Sequence, residues 1–94
     1  MIRVTIAGKF EGIDDAGRER VVAAGAAGFS ERGAFTFDQS VSSFTFRYQG
    51  DHDTEDDAGL AAMAALEAYA VPYRILRFGV TDLREIKVRR KAGR

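Results

Sequence analysis

The chain lacks the side chains and segments on which several kinds of protein depend. It contains no cysteine, which excludes disulfides, thiolate catalysis and metal sites built from thiolates. No apolar run approaches the roughly 20 residues that span a bilayer, and the opening MIRVTIAGKF lacks the long apolar segment of a secretory signal. We therefore predict a soluble, cytoplasmic protein that makes no contact with a membrane.

An excess of charge of either sign is also missing. Fourteen Lys and Arg residues balance fourteen Asp and Glu residues, so the whole chain has no net attraction for nucleic acid or for an acidic membrane surface. The length of 94 residues, with 46% hydrophobic and 30% charged residues, is typical of one small globular domain. Residues 1–94 are therefore predicted to form a single domain.

Motifs that hold phosphate, metal or a nucleophile are not found. AAGAAG at 23–28 has the spacing GxxG but no Lys-Ser/Thr after it, and no serine elbow is present. The sequence around Asp51-His52-Asp53 is rich in oxygen ligands, but it lacks the glycine-punctuated spacing of a calcium loop. We predict no metal site and no cofactor.

Hydrophobic periodicity and capping signals predict six elements in the order β-α-β-β-α-β. Asp14 and Thr54 are suitable N-caps for two helices, Gly28 is a suitable stop for the first helix, and Val71-Pro72 ends the second. The predicted strands cover about residues 1–9, 33–38, 43–50 and 73–80, and the predicted helices about 15–27 and 55–70.

This order is that of a ferredoxin-like α+β sandwich, in which two helices cover one face of a four-stranded antiparallel sheet. The strand SFTFRYQG at 43–50 is predicted to lie in the centre beside the first strand, because its aromatic and polar residues alternate. Leu83, Ile86 and Val88 suggest a short extra strand near the C-terminus.

The alternation assigns the apolar residues of all four strands to the side beneath the helices, including Leu76, Phe78 and Val80 of the last strand. The opposite, open face of the sheet is then left with polar residues, among them three arginines from three neighbouring strands. The residues predicted there to bind a ligand are Arg3, Arg47, Arg77 and Gln49, with Tyr73 and Ile75 on the same face.

A guanidinium holds a carboxylate or phosphate through paired hydrogen bonds, so the arginines predict a site for a small anionic or aromatic molecule. The alternative is that this face is simply solvated, or that acidic residues of a second copy pair with it. We also predict a homodimer through the open face, because ferredoxin-like domains of this size often dimerise in this way. A two-fold axis would bring both arginine sets together, and they would repel without counter-ions. Such a dimer would suit an acidic ligand or a water-filled interior.

Two other functions fit parts of the sequence. A cofactor-independent enzyme could use His52, Tyr48 or Tyr73 as acid and base, since histidine exchanges protons near neutral pH. The aromatic strand also suggests an RNA-binding module, in which rings on the open face stack on bases. RNA binding is disfavoured, because turning the rings outward would bury Arg47 beneath the helices.

The segments MIRVTIAGKFEGI, GAFTFDQSVSSFTFRYQ and YRILRFGVTDLREIKVRR together resemble a family of small, uncharacterised actinobacterial proteins of about this length. The resemblance covers almost the whole chain and implies a ferredoxin-like fold, but it implies no activity and no catalytic residue. A looser similarity of fold alone connects the shape to small cofactor-free monooxygenases and aromatic-polyketide cyclases, which is an analogy and not evidence of function.

Overall fold

The computed structural model describes residues 1–25 and 28–83. Its elements are β1 (Ile2–Phe10), α1 (Asp15–Ala23), β2 (Ala34–Phe37), β3 (Ser43–Gly50), α2 (Glu55–Glu67) and β4 (Tyr73–Asp82). The four strands form one antiparallel sheet in the order β2-β3-β1-β4. This α+β arrangement of an open sheet with two helices fits a ferredoxin-like fold, and it confirms that the first and third strands are central. The predicted extra strand at 83–88 falls almost entirely outside the described residues.

The core lies between the sheet and the helices. Alternate residues of β1 and β3 are buried, while Val21 of α1 and Leu66 of α2 are fully buried against them. The ring of Phe35 in β2 lies 4.8 Å from that of Phe46 in β3, so aromatic packing joins the edge strand to the centre. Burial of each large apolar side chain contributes about 1.5–3 kcal/mol relative to exposure, which explains why the aromatic side of SFTFRYQG faces inward.

Both helices begin where the capping signals predict. The Asp14 carboxylate accepts a hydrogen bond of 2.8 Å from the Gly17 amide, and the Thr54 hydroxyl accepts one of 3.1 Å from the Asp57 amide. Each bond satisfies an amide that has no partner within its helix. The first helix ends earlier than predicted, at Ala23 instead of about residue 27. Its end is displaced because the Ala24 carbonyl accepts a hydrogen bond from Phe35 of β2, which draws the chain away from helical geometry.

The second helix is likewise shorter than predicted, because it ends at Glu67 instead of about residue 70. Arg20 of α1 donates hydrogen bonds of 2.7 and 2.8 Å to the carbonyls of Tyr69 and Ala70. These bonds satisfy carbonyls just beyond the C-terminal end of α2, where unpaired oxygens gather and a cation is favourable. One side chain thus connects the two helices.

The last strand contains a β-bulge that the alternation did not predict. Gly8 of β1 pairs with Ile75, but the preceding Ala7 pairs with Arg77, so Leu76 is an additional residue without a partner in β1. An additional residue reverses the alternation of side chains along the strand. The assignment of Leu76 to the core was therefore wrong, and its side chain is 58% exposed.

The bulge also corrects the predicted faces of Tyr73 and Ile75. Both were expected on the open face, but both pack partly buried against the core, because their partners Phe10 and Gly8 belong to the buried set of β1. The bulge requires Gly8, since a Cβ atom there would overlap the carbonyl oxygen of Arg74. Beyond the bulge, Phe78 and Val80 lie opposite buried β1 residues as predicted, although Phe78 remains 44% exposed.

The hairpin between β2 and β3 is stabilised by one carboxylate. Asp38 accepts hydrogen bonds from the hydroxyls of Ser40 and Ser42 and from the amides of Ser42 and Ser43. These bonds, that from the Ser42 hydroxyl foremost, hold the pKa of Asp38 far below its usual range. The predicted strands at about 33–38 and 43–50 are consistent with a hairpin connection at these residues.

Candidate functional site

The open face of the sheet is strongly cationic. Side chains that lie directly opposite each other in a sheet share a face, so the strand register decides which residues belong to it. Its cations are Arg3 and Lys9 of β1, Arg47 of β3, and Arg74 and Arg77 of β4. We call these five residues the open-face cations. They include all three arginines that the sequence assigned to a ligand site.

Among the strand positions that the structure describes, no carboxylate shares this surface. Within the described ranges, the other strand positions that share this face carry only small or uncharged side chains: Thr5, Ala7, Ala34, Thr36, Ser43, Thr45, Gln49, Gly79 and Thr81. The nearest acidic position along β2 is Asp38, whose oxygens accept hydrogen bonds from the hairpin serines. A chain of zero net charge therefore carries a locally positive surface, as predicted.

Neighbouring groups hold two of these guanidinium groups in place. Arg3 donates from Nε to Oε1 of Gln49 over 3.3 Å, and its guanidinium carbon lies 4.7 Å from the centre of the Phe29 ring. Arg47 is half-buried and donates from one terminal nitrogen to the Thr36 hydroxyl over 2.8 Å. Since a guanidinium carries five N–H donors in all, one bond can orient it and leave donors for an anion.

In this structure Gln49 therefore positions the Arg3 guanidinium by accepting its hydrogen bond. Phe29 was not predicted as part of the site. Its contribution is a ring face beneath a cation, a contact worth about 0.5–1 kcal/mol at an exposed position. No pattern in the sequence places the loop containing Phe29 beside β1, because that contact joins residues far apart in the chain.

Lys9 and Arg74 are open-face cations that sequence reasoning missed. Lys9 pairs with Arg74 on one side and with Ser43 on the other, and both cations are exposed. The strict alternation in β1 could have identified Lys9, which follows Arg3, Thr5 and Ala7 at every second position. Arg74 could not be found in this way, because only the bulge at Leu76 places it on the same face as Arg77.

Two of the residues predicted for acid and base chemistry are brought together. The Tyr48 hydroxyl and Nε2 of His52 share a hydrogen bond of 2.7 Å at the end of β3. Gly50 makes room for this pair, since a Cβ atom there would lie 2.7 Å from the hydroxyl and 2.8 Å from Nε2. Tyr48 is only 6% exposed, and burial, followed by the charge of Glu31, raises its pKa.

The third candidate, Tyr73, lies apart from this pair. Its ring makes an edge contact with Phe44 at 6.3 Å between centroids, near the opposite end of β3. Burial raises the pKa of Tyr73, and the charge of Glu67 adds to the effect. The two tyrosines and the histidine therefore do not form one constellation.

Neither of the two larger cavities found contains these groups. A cavity of about 520 Å³ is lined by residues of α1, of the segment that precedes β2 and of the segment that follows α2. They include Arg20, Arg32 and Tyr69. Another of about 530 Å³ lies between α2 and β4 and is lined mainly by Leu60, Met63, Phe78 and Val80, with Glu55 and Asp56 at its edge. Tyr48, His52 and Tyr73 line neither cavity, although a site of this size would suit a small ligand.

Within residues 1–25 and 28–83, no helix is long and apolar enough to cross a membrane. In the same part of the chain, no group of three or more histidine, cysteine or acidic side chains could hold a metal ion.

Comparison with known proteins identifies the chain only at the level of its family. Neither a search of curated proteins nor a search of solved structures gives a match. The resemblance to a small uncharacterised family is confirmed, because one family model matches residues 1–94, which is the whole chain. The protein belongs to the family of unknown function DUF6204.

Proposed function

We propose that this protein binds a small anionic molecule on the open face of its sheet, and that two copies associate through this face around the bound anion. The observation that carries the proposal is the collection of the open-face cations on a surface whose strand positions contain no carboxylate. In a chain of zero net charge, cations gathered on one surface repel each other. Binding an anion would neutralise this surface.

Arg3 and Arg47 are the central ligands in this proposal. Thr5 separates them in the sheet, since Arg47 pairs with Thr5 and Arg3 lies two residues before Thr5 in β1. Their contacts with Gln49 and Thr36 reduce the freedom that each side chain would lose on binding. Four of the five cations are arginines, which favours planar oxyanions such as carboxylate, or phosphate, over a ligand that needs only a point charge.

The proposed dimer depends on the anion. Two open faces that meet across a two-fold axis would bring ten cations together, and like charges oppose that approach. An anion between the faces removes the repulsion. We therefore expect dimers with a suitable anion and separate chains without one.

The test measures binding and mass together. We expect inorganic pyrophosphate to bind at about 50 mM salt and to bind more weakly at about 500 mM, since the screening length falls below 10 Å between these conditions. Removing one charged hydrogen-bonding partner costs about 1.5–3 kcal/mol, so Arg47→Gln should weaken binding about tenfold to a hundredfold by calorimetry. Light scattering in the same solutions should show dimers only when pyrophosphate is present.

Arg18→Gln is the matched control. Arg18 is an exposed arginine of α1 that pairs with Asp15 over 3.5 Å, so its loss changes the net charge equally on the helical side of the protein. If Arg18→Gln weakened binding as much as Arg47→Gln, general charge and not the open face would be responsible. A dimer that is insensitive to both salt and pyrophosphate would place the interface elsewhere.

A cofactor-independent enzyme of the cyclase or monooxygenase type is the second candidate function. It is favoured by the 2.7 Å hydrogen bond between Tyr48 and His52, which Gly50 permits. A pair of this kind can pass a proton between its two members. The buried hydroxyl also needs a partner for the fold alone, and the larger cavities described above do not open onto the pair.

The enzyme hypothesis is tested with a panel of quinol and polyketide-type substrates, following oxygen uptake and product formation. Turnover that is lost in both Tyr48→Phe and His52→Gln, while Arg47→Gln retains it, would support catalysis at this pair. The same panel without turnover, together with anion binding at the open face, would leave the binding function.

A further inference from the structure

On the open face, the central strand β1 carries small side chains between two cations, and we call this row the lane. Thr5 and Ala7 lie along β1, and their neighbours across the sheet include Thr45 on one side and Gly79 on the other. Arg3 and Lys9 close the two ends of this lane. The lane therefore has a floor of small side chains, over which a ligand could lie close to the backbone.

The cations extend along the lane instead of surrounding one point. Arg3 and Lys9 are six residues apart in β1, which corresponds to about 20 Å at about 3.4 Å per residue. Arg47 stands beside Thr5 on the β3 side, while Arg77 stands beside Ala7 on the β4 side, and Arg74 stands beside Lys9. Arg3, Arg47, Arg77 and Lys9 thus follow one another at about 8–12 Å between their backbones, while Lys9 and Arg74 are direct cross-strand neighbours at about 5 Å. The whole set is too extended for one small anion to reach.

The floor of the lane selects among long anions. Its strand positions Thr5, Ala7, Thr45 and Gly79 supply hydroxyl groups and open space, and the Phe29 ring at the end of the lane already packs against the Arg3 guanidinium. Single-stranded nucleic acids rely on free ring faces on which successive bases stack. An acidic peptide would bring apolar side chains and main-chain groups, for which these floor residues offer neither pocket nor strand edge. A chain of phosphates needs only charge and hydrogen-bond donors.

We propose that the open face binds a linear phosphate chain lying along β1, with Arg3 at one end and Lys9 and Arg74 at the other. This inference rests on the proposed anion-binding function and names its ligand class. The bridged phosphates face the lane, Arg47 and Arg77 contact the chain from opposite sides, and the threonine hydroxyls donate to its oxygens.

Chain length is the variable that tests the idea. Orthophosphate, pyrophosphate, tripolyphosphate and a polyphosphate long enough to span the lane are titrated calorimetrically. We expect affinity to rise at each step until the chain covers the lane. By analogy with other flexible polyanions, the logarithm of affinity should fall with the logarithm of salt concentration with a slope of about −3.5 when five charges are neutralised.

Arg74→Gln separates the two proposals. It should lower the salt slope for long polyphosphate by about 0.7 and weaken pyrophosphate binding far less than Arg47→Gln does, and Arg18→Gln should affect neither ligand. Binding of pyrophosphate with no gain from length and no effect of Arg74→Gln would overturn the phosphate-chain inference and leave the anion site. Failure of every anion to bind would overturn both proposals.

Two further ligands test the assigned chemistry. Poly-glutamate of matching charge is expected to bind more weakly than polyphosphate, and equal binding would overturn the preference for phosphate. Oligothymidylate of matching charge is expected to bind no more tightly than polyphosphate. Tighter binding of the oligonucleotide would show that the bases contribute to binding. It would overturn the inference that the lane favours a phosphate chain over a nucleic acid.

Discussion

Replacement of Gly8 by alanine tests whether the bulge in β4 controls both the stability of the sheet and the composition of the open face. A Cβ atom on Gly8 would overlap the carbonyl oxygen of Arg74 and would lie 3.1 Å from Cζ of Phe44. The Phe44 ring could shift by a few tenths of an ångström. The Arg74 carbonyl belongs to the paired backbone, so it can move only if the strand moves.

The cost can be estimated from the packing. Adding a methyl group to a filled site costs about 1–3 kcal/mol, and the backbone contact at Arg74 puts Gly8→Ala toward the upper part of this range. A chain of 94 residues has a stability of about 5–14 kcal/mol at the usual value per residue. One kcal/mol corresponds to about 4–8 °C for a domain of this size, so a cost of about 2–3 kcal/mol should lower the melting temperature by about 8–24 °C.

The assay is urea and thermal unfolding followed by circular dichroism, with Gly79→Ala as the matched control. Gly79 also lies on β4, and a Cβ atom there would have open space around it, so its replacement should change stability by no more than about 0.5 kcal/mol. If β4 shifts in Gly8→Ala, Arg74 leaves the open face, and the length dependence of phosphate binding should weaken as well. A Gly8→Ala protein as stable as the Gly79→Ala protein would refute the close approach at the bulge.

Two other changes have directions that follow from the structure. Asp38→Asn should destabilise the protein at neutral pH, because a carboxylate whose folded pKa is depressed contributes stability above its ordinary value of 3.8 and loses it as the pH falls toward the folded value. Urea unfolding should show the difference between the two proteins narrowing progressively as the pH falls below about 4, and a difference that stays constant over that range would contradict the hydrogen-bonded carboxylate. Gly33→Ala should lower the free energy of unfolding more than Gly12→Ala does. Both glycines have positive φ, and this backbone strain alone costs about 1–3 kcal/mol, but only a Cβ atom at Gly33 would also overlap the Phe46 ring. Equal urea midpoints for the two variants would show that the ring is free to move.

The open face also explains why the aromatic strand is not itself evidence of nucleic-acid recognition. Phe44, Phe46 and Tyr48 are buried beneath the helices, and the polar residues between them supply the exposed side. Alternation in a strand decides which residues share a face, but it does not decide which face is covered. The helices cover the aromatic side because their apolar residues pack against it. The arginines stay on the other side, because a buried charge without a partner is unfavourable.

Much of the architecture follows from the sequence by itself, because the determining signals are local. Alternation at about 1–9 and 43–50 specified the two central strands, and the caps at Asp14 and Thr54 specified the starts of the helices. The same alternation placed Arg3 and Arg47 on one surface, since each lies in a regular strand. Local hydrogen bonding and a period of two residues need no knowledge of the rest of the molecule.

Tertiary structure decided the features that depend on partners far apart in the chain. The bulge at Leu76 arises from pairing with β1; it moved Tyr73 and Ile75 into the core and placed Arg74 beside Lys9. The early end of α1 arises from the hydrogen bond between Ala24 and Phe35, and the contact between Tyr48 and His52 depends on the turn at the end of β3. A bulge changes the period of a strand without changing its composition, so the full set of cations on the open face became visible only when the register of β1 and β4 was known.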